Sequence, residues 1–199
     1  MGLFTLEHSK AAYRADFAVY GAAVLLLALG LAAEPHGQRL ETTALVVAGL
    51  AAWSLIEYLM HRFVLHGWQP FQRWHAEHHD RPTALIQAPT LLSAGLIVTL
   101  VFVPAWLLSH WWPACALSLG VVAGYLGYAV THHATHHWRA DSAWLKRRKR
   151  WHALHHHNAD QPSCFGVTSA FWDHVFGSAA VVRRRPADKA PSYMPRSGV

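Results

Sequence analysis

The chain alternates between four nearly unbroken apolar runs and segments rich in charge and histidine. The runs cover residues 17–33, 43–60, 90–109 and 112–131. Each has roughly the 17–25 residues a helix needs to cross a bilayer core. A helix also satisfies its own backbone polar groups where lipid cannot. Residues 34–42 join the first two runs, and His110 and Trp111, just before Pro113, join the last two. The pattern therefore predicts two helical hairpins. Pro104 lies inside the third run and predicts a kink there, which a bundle tolerates. Before the first run come Glu7, Lys10, Arg14 and Asp16, and no small-residue cleavage site precedes Glu34. The first run is accordingly expected to be an anchor and not a cleaved leader.

Composition agrees with a membrane setting. Apolar residues make up 53% of the 199 and charged residues 14%, against about 25% charged in soluble domains. The length suits one domain, expected over 1–182, with a flexible tail over 183–199. Of the 17 Lys and Arg, Arg39 alone falls on the side of the 34–42 loop. By the positive-inside rule the crowded side is expected to be cytoplasmic, in the inner membrane of a bacterium or the endoplasmic reticulum of a eukaryote. Trp68, Trp111, Trp112 and Trp138 lie near the run ends, as an interfacial belt would. Cys115 and Cys164 match no zinc or redox spacing and exclude a cysteine-ligated iron–sulfur cluster. No nucleic-acid partner is expected.

Seventeen histidines are the outlying count. Ten of them fall in four clusters: His61 and His66; His75, His78 and His79; His132 and His136; His152, His155 and His156. All four clusters lie on the crowded side, an agreement that hydropathy does not impose. Residues three and four apart share a helix face. His75, His78 and His79 can therefore converge, as can His152, His155 and His156, and likewise His132 with His136. His61 and His66 are five apart, which predicts an unwound or distorted helix end. One ion cannot use ten ligands, whereas two ions at five or six each can. Imidazole suits iron, zinc, copper and nickel. Glu57, Glu77, Asp80 and Asp160 are candidates to hydrogen-bond the outer ring nitrogens, as carboxylates often do behind metal-bound histidines, with a snorkelling interfacial carboxylate the alternative for Glu57.

Other features have plainer readings. His8, His36, His110 and His174 are expected to be ordinary core or interfacial residues, with His110 on the wrong side of the membrane. His133, His137 and His157 are expected to face water or cap a neighbour. The run Lys146-Arg-Arg-Lys-Arg150 is read as a positive flank in preference to a lipid or donor site.

These residues resemble the fatty acid hydroxylase/sterol desaturase superfamily of membrane di-metal enzymes. The likeness rests on Glu57-Tyr-Leu-Met-His61-Arg-Phe-Val-Leu-His66, on Gly124-Tyr-Leu-Gly-Tyr-Ala-Val-Thr-His132 with His136, and on His152-Ala-Leu-His155-His156. Phe165-Gly-Val-Thr-Ser-Ala-Phe-Trp-Asp173-His-Val-Phe-Gly177 adds the match most like fatty acid 2-hydroxylases. Ala129 stands where that pattern carries Asp, and the stretch from His66 to His75 is shortened as in carotenoid ring hydroxylases.

The resemblance implies an all-α integral membrane protein, a four-helix transmembrane bundle with a cytoplasmic helical cap holding a histidine-rich di-metal site. It implies the ten clustered histidines as ligands, two iron ions as the working metals with zinc able to occupy the sites in purified protein, and O2 as co-substrate. The expected activity is hydroxylation of a lipid acyl chain drawn from the bilayer. The nearest alternative is a desaturase or a sterol or carotenoid oxidase. No dinucleotide or P-loop fingerprint is visible, so a separate reductase with a ferredoxin- or cytochrome b5-like carrier is expected. A bis-histidine haem cytochrome would place histidines deep within facing helices. A metal transporter would line a membrane path with polar groups. The runs offer neither.

Overall fold

The computed structural model describes residues 7–34, 37–157 and 162–180. His36, Asp160 and the tail expected over 183–199 lie outside them. Among the described residues the protein is all-helical, with a single isolated bridge between Glu7 and Ile86. The elements are α1 (Lys10–Ala32), α2 (Arg39–Leu59), α3 (Phe71–Asp80), α4 (Thr90–Ile97), α5 (Val103–Leu108), α6 (Trp111–His137), α7 (Ala143–His157) and α8 (Phe171–Val175). A π-helical turn, Met60–Leu65, continues α2, and another, Val98–Phe102, joins α4 to α5.

Four helices are long and apolar enough to span a membrane: Lys10–Ala32, Arg39–Leu65, Thr90–Leu108 and Trp111–His137. The first, second and fourth run past their apolar stretches on the histidine-bearing side. α1 begins there at Lys10, where the Ser9 hydroxyl accepts the Ala12 N–H at 3.2 Å and caps the helix. In the third, Pro104 has no N–H for the carbonyl one turn back, and the wider π turn just before it absorbs the mismatch.

α6 is the central helix and packs against α1, α2 and the α4–α5 span. Its contact with α2 is close because both partners present glycine. A Cβ on Gly49 would stand 2.3 Å from the Leu117 carbonyl oxygen, and one on Gly120 2.2 Å from that of Val46. Small residues that let backbones touch are a main source of helix association in lipid. Tyr20, Val122 and Tyr125 form the buried core beside Ala94 and Ile97. Tyr20 and Ser93 share a hydroxyl hydrogen bond of 2.7 Å, and Thr90 donates to the buried Asp16 at 2.6 Å. The outward faces carry exposed Leu25, Leu26, Leu29, Leu100, Leu107 and Leu108, the surface a lipid-facing bundle needs. The cap, built from α3, α7, the 162–170 segment and α8, lies at one end of this bundle.

Candidate metal centre

Each histidine cluster is delivered by a helix end. His61 and His66 sit in and just after the π turn that continues α2. Hydrogen bonds from i to i+5 widen that turn, so residues five apart fall on one face. Their rings lie 5.4 Å apart. The distortion expected from the spacing is thus a π turn and not an unwound end.

The ring nitrogens meet in two groups. His61, His66, His75, His79 and His155 offer five atoms that all lie within 4.8 Å of one another. His78, His136, His152 and His156 offer a second such set. His132 joins the second, its Nε2 3.1 Å from that of His78 and its ring 4.9 Å from those of His136 and His152. The groups abut where His79 and His156 stack with centroids 4.2 Å apart. Each triplet is divided. His75 and His79 go to one group and His78 to the other; His152 and His156 go to one and His155 to the other. A helix advances about 100° per residue, so residues four apart differ by about 40° and stay together. The residue between them turns toward the neighbouring group.

In the first group Nε2 to Nε2 spacings are 3.0 Å for His61–His75 and His75–His79, and 3.1 Å for His79–His155 and His155–His66. The His136–His152 and His152–His156 spacings are 2.8 and 3.1 Å. Metal–nitrogen bonds of about 2.1 Å at right angles put neighbouring ligand nitrogens about 3.0 Å apart. Tautomers point the same way. His61 Nδ1 faces the Phe165 carbonyl at 2.5 Å and His155 Nδ1 that of Ser163 at 2.8 Å. A carbonyl only accepts, so both Nδ1 atoms carry the proton and both neutral rings present a bare Nε2 inward. Bare lone pairs crowded at this range repel unless a cation lies among them. The residues present fit a pair of metal ions with nitrogen ligands.

Burial keeps the rings neutral, which metal binding requires. It lowers His66 to about 4 with help from the charge of His79, His156 to about 3 with help from His79 and His136, and His78 to about 2 with help from His136. His75 and His152 are held well below the ordinary histidine value, again chiefly by burial.

The 162–170 segment is the support behind the first group. Cys164, between the two accepting carbonyls, has φ of 58°, a left-handed conformation uncommon outside glycine. Asp173, fully buried, holds the segment. It receives the Phe165 and Gly166 N–H groups at 2.8 and 2.9 Å, the Trp151 indole at 3.0 Å and the Ser178 hydroxyl at 2.8 Å. Glu57 receives the Val167 and Thr168 N–H groups at 2.8 and 2.9 Å and the Thr168 hydroxyl at 2.6 Å. Arg148, buried on α7, lies over the Trp151 ring at 6.0 Å and interacts favourably with the charges of both Glu57 and Asp173.

The sequence-derived carboxylates therefore separate. Glu57 stands behind the histidines through the backbone of the segment and does not touch a ring. Glu77 is exposed and pairs with Arg81 at 3.1 Å. Asp80 is exposed, and its charge opposes the burial that lowers His79. Asp173 carries the supporting role that sequence reasoning did not assign; its signal was a lone carboxylate inside an aromatic motif. His133 bonds the Tyr13 hydroxyl at 3.2 Å, while His110, His137 and His157 are exposed.

Four apolar helices under a cap of converging imidazoles define an integral membrane protein built around a histidine cage. The fatty acid hydroxylase family matches residues 46–178, and the chain belongs to that family. It is 35% identical over 151 residues to "Ceramide very long chain fatty acid hydroxylase scs7" of Schizosaccharomyces pombe, covering 66% of this chain and 41% of the relative. It is 34% identical over 158 residues to "Dihydroceramide fatty acyl 2-hydroxylase FAH2" of Arabidopsis thaliana, covering 71% of this chain and 63% of the relative. The chain thus spans less than two thirds of the length of either relative. A solved structure, "Full length scs7p (only hydroxylase domain visible)", superposes with a TM-score of 0.71 at 27% identity, over 85% of this chain and 67% of that one.

Proposed function

We propose that the protein hydroxylates a lipid acyl chain at a pair of iron ions held by His61, His66, His75, His79 and His155 on one side and His78, His132, His136, His152 and His156 on the other. The carrying observation is the meeting of two imidazole groups at metal-ligand spacing beneath one cap. Imidazole accommodates zinc as well as iron, and attack on an unactivated C–H bond favours iron. When bound, the metals supply activation of O2, chemistry that no side chain can perform.

The chain's own residues supply placement. The Ser163 and Phe165 carbonyls fix the tautomers and ring directions of His155 and His61. Phe165, buried against His61, His66 and His155, keeps water from that group. On the membrane side, Tyr128 stacks over His132 at 5.8 Å and Trp53 lies 6.1 Å from Tyr128. An acyl chain rising from the bilayer meets this aromatic floor before the histidines. The relatives' names, which specify hydroxylases acting on ceramide and dihydroceramide fatty acyl groups, favour hydroxylation over desaturation. The cap faces the cytoplasm by its excess of basic residues. A separate reductase with a ferredoxin- or cytochrome b5-like carrier delivers the electrons there.

The test is anaerobic iron loading of the full chain, then oxygen, a reductant and a lipid extract, with products read by mass spectrometry. One added oxygen atom per lipid is expected in the wild type and with His110→Ala, and none with His155→Ala or His79→Ala. Loss of two hydrogens without added oxygen would assign desaturation, and equal product from all variants would refute the site.

A further inference from the structure

Away from the histidine groups, a cavity of about 410 Å³ opens between the start of α1, the segment before α4 and the end of α6. Its volume falls within the roughly 300–1,000 Å³ range of small-molecule sites. Its rim is cationic. Lys10 and Arg14 are four residues apart on α1, share a face and are both exposed. Neither is paired with a carboxylate among the described residues. The nearby acids are engaged elsewhere, Glu7 with Arg81 at 2.7 Å and Asp16 with Thr90. The rest of the lining is mostly apolar, with Phe17, Leu85, Val130 and Trp138. Between rim and floor, the Tyr13 hydroxyl and His133 Nδ1 hold each other at 3.2 Å, which turns His133 toward α1 and away from the neighbouring His132. Charge above and apolar wall below meet where α1 passes from its polar first turns into its apolar run, the depth of lipid headgroups.

We propose that this cavity binds an anionic phospholipid, its phosphate between Lys10 and Arg14 and the top of one acyl chain against Phe17 and Val130. The site is separate from the metal centre and does not depend on the reaction assigned to it. The test places the purified full chain in nanodiscs of equal phosphatidylcholine and phosphatidylglycerol and counts retained lipids by native mass spectrometry. The wild type should retain phosphatidylglycerol in preference. Lys10→Gln with Arg14→Gln should reduce that preference roughly tenfold or more, while Lys146→Gln with Arg147→Gln, at exposed positions of α7, should leave it intact. A photoreactive phosphatidylglycerol should label wild-type protein within residues 10–17 or at Trp138, which tests the site even if the double variant folds poorly. No preference in the wild type, an equal loss from the α7 variants, labelling elsewhere, or displacement of the lipid by inorganic phosphate would overturn the proposal.

Discussion

At Asp173 a carboxylate without exposed surface receives four donors, two of them backbone N–H groups of the segment that props His61 and His155. Asp173→Asn keeps the shape but replaces one accepting oxygen with an N–H2 that cannot accept. Whichever way the amide turns, at least one backbone N–H, that of Phe165 or Gly166, loses its partner, and hydrogen bonds to charged groups contribute about 1.5–3 kcal/mol each. The variant should melt at a lower temperature and lose metal chiefly from the His61 and His155 group, as read by calorimetry and metal analysis. An unchanged melt and full metal content would show that the segment holds its shape without Asp173.

Among the elements, the α2–α6 crossing and the π turn decide where the histidines arrive. Gly120 leaves no space for a side chain, because a Cβ would meet the Val46 carbonyl at 2.2 Å, a backbone atom that cannot rotate aside. Gly120→Ala should force the helices apart and destabilise the fold by about 1–3 kcal/mol, measured as a lower unfolding midpoint in detergent. A wild-type midpoint would show that the crossing yields freely. The spans were legible in the sequence because lipid demands about 20 apolar residues per helix. The distortion between His61 and His66 was legible from their spacing. Its form was not, since a π turn and an unwound end leave the same trace in sequence. Nor was the division of each triplet, which depends on how α3 and α7 face each other across the cap. The role of Asp173 was hidden for a related reason: it acts on backbone groups of an irregular segment, where no periodicity marks it.

For the whole molecule, the buried imidazoles make stability depend on pH. An unfolded histidine titrates near 6.5, whereas His66 is lowered to about 4 and His156 to about 3 in the fold. Well above 6.5 neither state is charged. As pH falls through 6.5 the unfolded chain takes up protons that the folded chain refuses, so stability decreases, and it continues to do so until the folded rings begin to charge near pH 4. The metal-free protein should therefore melt at progressively lower temperature from neutrality down to about pH 4, and a flat profile would contradict the burial of these rings.

The claim beneath the rest is that ten imidazoles from four separate stretches hold a pair of ions. Metal content per chain, measured by plasma mass spectrometry after anaerobic iron loading and removal of loose metal, tests it directly. Two ions are expected in the wild type, one for each group, and about one after either His155→Ala or His152→Ala. A single ion in the wild type, or a variant that keeps both, would contradict it.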